Sequence, residues 1–500
     1  LLPAPKPTLT PDARPRIETP TWFNTAVIYE IFPRSFYDTN GDGIGDLNGI
    51  RQKLDYVQGL GVNTIWLTPH YPSVSYHGYD VVDYFQVNPQ FGTLDDFKAL
   101  TAEMKRRNMR LIVDFVANHS SNAHPFFKSA YKNPASKYTS WYRFGDKANT
   151  VYESFFGTGY LPDWNTDNPE VRDYLINAAL FWLSLGADGI RCDYALGVEP
   201  PFWRELRTRV KAKYPNAVIL GEVWDASVLT LKRFFDDGFD ALFDFPFYLT
   251  LTGSPDRNGD GVLSGKQPAT LLQAPFKIMQ RLYPNGAQLV RFASNHDTNR
   301  IASDSEGDGL RMKLAISVAM LTPGIPMIYY GEEIGMRGNK GEGPQYDEYR
   351  REPMDWYANE TGAGMTTWFK PSNRHNRTKD GVSVEEQDKV AGSLLNYYRA
   401  LGKLRSQYPS LTANSYSVVD NVGECDQCLA LWRHSERESV LLLFNFSGQS
   451  QRIPFDPSTA PVPANSTPRH ILIPTGEQAL PITFDSITLA ALDTYVMIWR

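Results

Sequence analysis

Five hundred residues with 42% hydrophobic and 21% charged side chains suffice for a large α/β domain plus one or two smaller ones, and fit a soluble globular enzyme. The formal charge of −6, from 50 Lys and Arg against 56 Asp and Glu, with no basic run, removes the electrostatic case for nucleic acid. No apolar stretch is long enough to span a membrane.

Residues 1–20 are Pro-rich, lack an apolar core, and read as an N-terminal arm lying on the surface. The sequence shows no signal peptide; the expectation is a secreted or periplasmic monomer whose leader has been removed. From residue 26 to about 405 strand-like and helix-like patterns alternate. Strands are expected at 27–31, 62–67, 110–115, 188–193, 217–222, 239–244, 289–294 and 326–330. Most are short apolar runs, the pattern of strands covered on both faces. Segments such as TLDDFKALTAEMKRR and PEVRDYLINAALFWLSL between them have helical spacing. Eight βα units predict a closed (β/α)8 TIM barrel, built from 21–119 and 170–410. Residues 120–169 are too long for an ordinary βα connection and predict a small inserted domain over the barrel mouth. From 411 to 500, β-like runs separated by Pro, Gly, Asn and Ser predict an all-β C-terminal domain.

Three cysteines give a weak redox signal. Cys192 reads as a buried barrel thiol. Cys425 and Cys428 leave a local disulfide and two reduced thiols both open, while a zinc site would need two further ligands.

Acidic residues close several expected strands. Asp114 and His119 lie in LIVDFVANH, Asp193 ends GADGIRCD, Glu222 ends AVILGE, and Asp297 follows His296 in VRFASNHD. Side chains at the C-terminal ends of different barrel strands meet over one cavity. A carboxylate-rich cavity is what cleavage of a glycosidic bond requires. A single Asp at a strand end is as readily a helix cap; the set of them carries the reading. Arg191 is two residues before Asp193, so both side chains share one face of the strand. A guanidinium there would keep a nucleophile ionised. Glu222 follows Gly and an apolar run and precedes Val and Trp, a setting that raises a carboxyl pKa.

The motifs DFVANH (114–119), GIRCD (189–193), GEVW (221–224) and ASNHD (293–297), with LPDWN (161–165), occur in an order that resembles the alpha-amylase superfamily, glycoside hydrolase family 13. The resemblance covers essentially the whole chain. It implies a retaining α-glycoside hydrolase with Asp193 as nucleophile, Glu222 as general acid/base and Asp297 as the carboxylate that stabilises the transition state. It places His119, His296 and Tyr79 on the sugar at the cleaved bond; Asp114 is expected to support Arg191 or the barrel rim. Asp80 is expected to support its loop.

Two calcium expectations follow. Residues 38–46, DTNGDGIGD, resemble the first part of an EF-hand loop, with Asp38, Asn40, Asp42 and Asp46 supplying side chains and Ile44 a carbonyl. A weaker run of this kind lies at 254–265. The family resemblance implies a second Ca2+ site at Asn118 and Asp163, between inserted domain and barrel. The Lys-His pair that amylases carry after the nucleophile is missing from DYALGVEP (193–200), which puts that site in doubt.

For the substrate, exo-acting relatives carry an Asp three residues before the stacking Tyr; here Tyr76 stands there. This predicts an open cleft for a starch-type α-glucan or maltooligosaccharide, with His70, Tyr71, Tyr76 and His77 at its rim. REPMDWY (351–357) resembles the intermediate group between oligo-1,6-glucosidases and neopullulanases. The expectation is an endo-acting alpha-amylase. An α-glucosidase, a neopullulanase-like hydrolase and a trehalose-forming transglycosidase are the enzymatic alternatives. A non-enzymatic sugar-binding protein on a degenerate scaffold should lack one of the three carboxylates, and none is lacking.

Overall fold

The computed structural model describes residues 14–253, 260–341, 346–420, 422–456, 460–463, 466–472, 476–479 and 485–500. Most of the N-terminal arm and part of the 254–265 run lie outside these residues. Of the arm, Arg14 donates to the carbonyls of Met279 and Tyr283, so its described end runs along the barrel surface.

Strands β1 (Ile28–Ile31), β2 (Thr64–Leu67), β3 (Arg110–Phe115), β4 (Gly189–Cys192), β5 (Val218–Gly221), β6 (Ala241–Phe243), β7 (Gln288–Arg291) and β8 (Ile325–Tyr329) form a closed parallel barrel. β1 pairs with both β2 and β8. Every expected strand is present, offset by no more than one residue or shortened at its ends.

Strand parity divides the core in two. Ile28, Trp66, Ile112, Val218, Leu220, Ala241, Phe243, Val290 and Met327 pack together inside the barrel. The alternate residues, among them Tyr29, Ile65, Val113, Ile190, Ile219 and Ile328, pack outward in the larger core beneath the helices. Successive strand residues point to opposite faces, so this alternation is obligatory. It also fixes the site: two residues beyond Ile28, Ile112 and Gly189, the inward positions are Glu30, Asp114 and Arg191. The interior is therefore apolar below and charged at its C-terminal end, where active sites of such barrels lie.

The covering helices start where their sequences provide caps. Leu94–Arg106 opens with a reciprocal capping box between Thr93 and Asp96. Pro169–Ser184 has Pro at its first turn, and the Asn168 side chain accepts from Glu170 N–H. Between β3 and that helix the chain makes an excursion held by short bridges, His119↔Asp163, Tyr142↔Trp164, Phe144↔Tyr152 and Ser154↔Pro162. Trp164 donates to the Tyr84 hydroxyl, which itself donates to the carbonyls of Val116 and His119, so the excursion is fastened to the barrel rim.

After the helix Leu394–Gln407 the chain is β-structured. Strands β9 (Ser415–Val418), β10 (Cys428–His434), β11 (Ser439–Asn445), β13 (Pro468–Leu472), β14 (Gly476–Ala479) and β16 (Asp493–Trp499) form one sheet in the order β14-β13-β16-β11-β10-β9; β12 (Gln451–Pro454) and β15 (Ser486–Leu489) form a second. Cys425 and Cys428 are disulfide-bonded, which decides between the two alternatives, and Cys192 is free and buried. Buried Arg433 donates to the carbonyls of Leu321, Leu411 and Ala413, joining sheet to barrel. Among the described residues no helix is long and apolar enough to cross a membrane.

Candidate active site

Arg191 is the hub. Its guanidinium is fully buried and lies 2.9 Å from Asp114 Oδ1, 2.8 Å from Asp193 Oδ1 and 2.6 Å from Glu222 Oε1. The Asp114 contact follows from register, because Asp114 and Arg191 are direct partners across β3 and β4. Trp66 Nε1–H also donates to Asp114 Oδ2 at 3.2 Å. One cation shared by several carboxylates is the arrangement that makes buried charge tolerable.

Asp193 and Glu222 leave adjacent strands side by side. Glu222 N–H donates to the Cys192 carbonyl and Ala195 N–H to the Glu222 carbonyl, which continue the β4–β5 ladder upward. Tyr194 then turns into the left-handed region, φ 38° and ψ 55°, and its N–H donates to Glu222 Oε2 at 3.0 Å. A bulky residue in that conformation costs about 1–3 kcal/mol and is typically found at functional sites. A Cβ on Gly197 would collide with Asn118 Oδ1 and the Tyr194 ring, so only glycine fits beneath this turn.

Burial pushes Asp193 up to about 7, with Arg191 acting against it. Burial likewise pushes Glu222 up to about 7, again opposed by Arg191. Asp193 also raises Glu222, and Asp114 and Asp297 raise Asp193, so the two carboxyls titrate together near neutrality.

Asp297 differs. Burial works against its ionisation, but His296, then Arg351 and Arg191, hold it well below the usual carboxylate range. His296 Nε2 lies 3.1 Å from Asp297 Oδ2, and Arg351 Nη2 lies 2.8 Å from Oδ1. Its side chain is 32% exposed against 10% for Asp193 and 8% for Glu222, so it presents a permanent negative charge to the cavity. Tyr79 is stacked on His296 at 5.4 Å with its hydroxyl 2.6 Å from Nε2. His119 is buried, its Nε2 has no partner among the described residues, and burial lowers its pKa to about 3; a neutral imidazole is thus held at the site.

Of the expected rim, half-buried Tyr76 is stacked on Trp368 at 5.3 Å and His77 on Tyr79 at 6.1 Å. His70 and Tyr71 are a correction. His70 is fully buried, stacked on Phe97 and edge-on to Trp182, and the Tyr71 hydroxyl donates to the Asp114 carbonyl. They lie in the outward core beneath the helices and cannot reach a substrate. Asp80 does hold its loop, accepting from Ser73 Oγ and Val74 N–H.

The calcium expectation is also corrected. Among the described residues no group of three or more His, Cys, Asp or Glu side chains could hold a metal ion. In the 38–46 loop the oxygens are turned onto the loop itself. Asp38 accepts from the N–H groups of Asn40, Gly41 and Gly43, and Asp42 from Ile44 N–H and Asn40 Nδ2. Asp46 caps the next helix through Gly49 N–H and bonds Thr39. These are Asx turns and a helix cap. At the second site Asn118 turns its amide Nδ2 toward Asp163 Oδ1 at 2.9 Å, so the two expected ligands satisfy each other.

Sequence reasoning passed over four residues. Arg351 opens the singled-out segment REPMDWY, but its contact with Asp297 is not visible in a linear motif. Glu30 lies inside an apolar strand run. Phe155, 4.9 Å from His119 and from Tyr194, and Phe156, 77% exposed and at φ 46°, form an aromatic corner on the excursion beside the acids. No periodicity signals them.

A profile of the alpha-amylase catalytic domain matches residues 30–414. Alpha-amylase 3 of Dictyoglomus thermophilum is 33% identical over 445 residues, covering 85% of this chain and 85% of that protein. Neopullulanase 2 of Thermoactinomyces vulgaris is 32% identical, covering 86% of this chain and 73% of that one. The crystal structure of an alpha-amylase from H. orenii superposes with a TM-score of 0.78 at 31% identity, covering 95% of this chain and 99% of that one.

Proposed function

The chain belongs to the alpha-amylase superfamily, glycoside hydrolase family 13, whose members act on α-glucosidic linkages, and from that premise we propose that it hydrolyses α-1,4 bonds of starch-type glucans and maltooligosaccharides, internally and with retention. The observation that carries the mechanism is the single Arg191 guanidinium in contact with both Asp193 and Glu222. Retaining enzymes hold their carboxyls about 5–5.5 Å apart, inverting ones about 6.5–9.5 Å. Two carboxyls drawn to one cation support the shorter spacing and with it the retaining reading.

In the first step Asp193 Oδ attacks the anomeric carbon while Glu222 gives its proton to the departing glycosidic oxygen. The new bond is a glycosyl ester and the leaving chain departs as an alcohol. In the second step water loses a proton to Glu222, its oxygen bonds to the anomeric carbon, and Asp193 is released as carboxylate. Asp297 faces the positive charge that develops between these states. His119 and the Arg191–Tyr79 side of the cavity offer hydrogen-bonding groups to the sugar.

Internal action is supported by exposed aromatic surface near the strand ends. Tyr76 and Trp368 form a stack, and Phe156 and Trp224 are 77% and 37% exposed. Sugar faces pack on such rings. A second reading, an exo-acting α-glucosidase, is favoured by one observation: Arg351 lies over the Tyr76 ring at 5.7 Å and 3.6 Å from Asp347, a charged pair able to close the cavity end. The test is chromatography and NMR of the first few per cent of amylose digestion. A spread of α-configured maltooligosaccharides supports the proposal; glucose alone gives the second reading, and initial β-product ends the double-displacement mechanism.

A further inference from the structure

Glu30 is the one charged side chain of β1. It is fully buried, at an inward position of the barrel above Ile28. An isolated carboxylate there costs several kcal/mol, so its partner must matter. That partner lies 266 positions on in sequence: Glu30 Oε1 is 2.5 Å from His296 Nδ1 and also accepts from His296 N–H at 3.3 Å. Glu30 Oε2 has no hydrogen-bond partner among the described residues.

The other side of the ring is as informative. His296 Nε2 faces Asp297 Oδ2 at 3.1 Å and the Tyr79 oxygen at 2.6 Å. The Tyr79 hydroxyl has its own acceptor in Asp114 Oδ2 at 3.2 Å. Both ring nitrogens thus face acceptors, and a neutral imidazole would leave one lone pair against a carboxylate. A carboxylate on each side of the ring, Glu30 Oε1 at 2.5 Å and Asp297 Oδ2 at 3.1 Å, favours the doubly protonated form over either neutral tautomer.

We propose that Glu30 is a positioning residue that holds His296 as an imidazolium wedged between two carboxylates, and that through it Asp297 is fixed in place and kept ionised. The inference rests on the reading of Asp297 as the charge that stabilises the transition state. Charged and titratable groups reach His296 from every side. Asp297 and Glu30 favour its proton, as do Asp114 and Glu222 at longer range, while Arg191 and Arg351 oppose it. Burial alone would lower the pKa of His296, yet Asp297 and Glu30 carry it up to about 10. Glu30 is fully buried and its side chain's one hydrogen-bonding partner among the described residues is His296, so its effect on the reaction must pass through the ring.

The test uses the full-length protein and Glu30→Gln, whose amide oxygen still accepts from Nδ1–H but carries no charge. Histidine 15N spectra, with the His296 signals assigned by their loss in His296→Gln, read the ring directly and without reference to activity. In the wild type both nitrogens are expected to be protonated at pH 8. In Glu30→Gln the ring is expected to titrate below pH 8, and the alkaline limb of kcat/KM should steepen toward about a hundredfold fall per pH unit above the new midpoint, because two groups must then keep their protons. Glu30→Asp, which restores the charge, should restore both readouts. A neutral His296 at pH 8 in the wild type overturns the proposal, and that measurement stands even where a variant fails to fold. An unmoved pH profile and unmoved 15N signals in folded Glu30→Gln overturn it equally. An intact imidazolium whose loss leaves turnover unchanged would instead count against the role of Asp297.

Discussion

Asp114 and Arg191 face each other in register across two neighbouring barrel strands, and their side chains, both fully buried, are ion-paired at 2.9 Å. Arg191 therefore serves a structural carboxylate from below and the reactive pair from above. Burial pushes Asp114 up to about 6 despite Arg191, so its charge is held at the expense of stability. Its negative charge is also among the influences that raise Asp193.

Asp114→Asn should consequently have two separable effects. Removing one partner of a buried pair costs about 3–5 kcal/mol, to be read as a lower urea midpoint. With Asp114 neutral, Arg191 acts more fully on Asp193, whose ionisation should move to lower pH. The acid limb of kcat/KM is expected to shift toward acid. A limb that stays or moves toward alkali would show that Arg191 does not couple the two.

The reactive pair itself sets the pH optimum. Asp193 and Glu222 are both pushed to about 7 by burial. Well below that both carry protons and no nucleophile exists; well above, both are ionised and no acid remains. A bell centred near neutrality is expected, with limbs that belong to the pair rather than to either residue. Glu222→Gln should remove the alkaline limb and lower kcat on amylose by about 10²–10⁴-fold. A pH-rate profile on amylose reads both effects.

The eight-stranded alternation, the excursion after the third strand and the β-structured end were legible because each has a local signature: apolar runs, loop length, turn residues. The carboxylates and Arg191 were legible because they sit at strand ends on one parity. Glu30 was not, since IYEI reads as one more covered strand and its partner is 266 positions distant. His70 misled for the opposite reason. A polar residue just past a strand end looks like rim, but here the chain turns back over the helices before it emerges. Tyr194 and Phe156 owe their placement to positive φ angles, which no propensity of Tyr or Phe announces.

His70 is a liability that can be measured. Its ring is fully buried, neither nitrogen has a partner among the described residues, and burial lowers its pKa to about 3. The unfolded chain binds its proton at about pH 6.5. The folded value is the depressed one, so the contribution is complete above pH 6.5 and is lost as pH falls toward 3. His70→Phe, which keeps the stack on Phe97, should equal or exceed wild type at pH 7.5. At pH 5 its advantage should grow by about 2 kcal/mol, the cost of 1.5 pH units for one proton. Urea midpoints at the two pH values give the difference directly. An equal difference at both would mean that the imidazole has a partner in solution.

Cleft and pocket are separated by the aromatic corner. Phe156 stands 77% exposed with its backbone at φ 46°, packed on Tyr194 at 5.4 Å. On the reading of internal action, that ring meets a sugar beyond the cleaved bond. A stacked aromatic contact is worth about 0.5–1.5 kcal/mol, so Phe156→Ala should lower kcat/KM on amylose by about tenfold at most. Maltose is too short to reach past the acids on both sides and should be cut as before. Asp347→Ala frees Arg351 from one of its two carboxylates and opens the end that the charged pair would close. In an internally acting enzyme this change should leave the early product spread intact. If glucose dominates early digestion by the wild type and longer products appear only in Asp347→Ala, the pair is a closing device and the enzyme acts from chain ends.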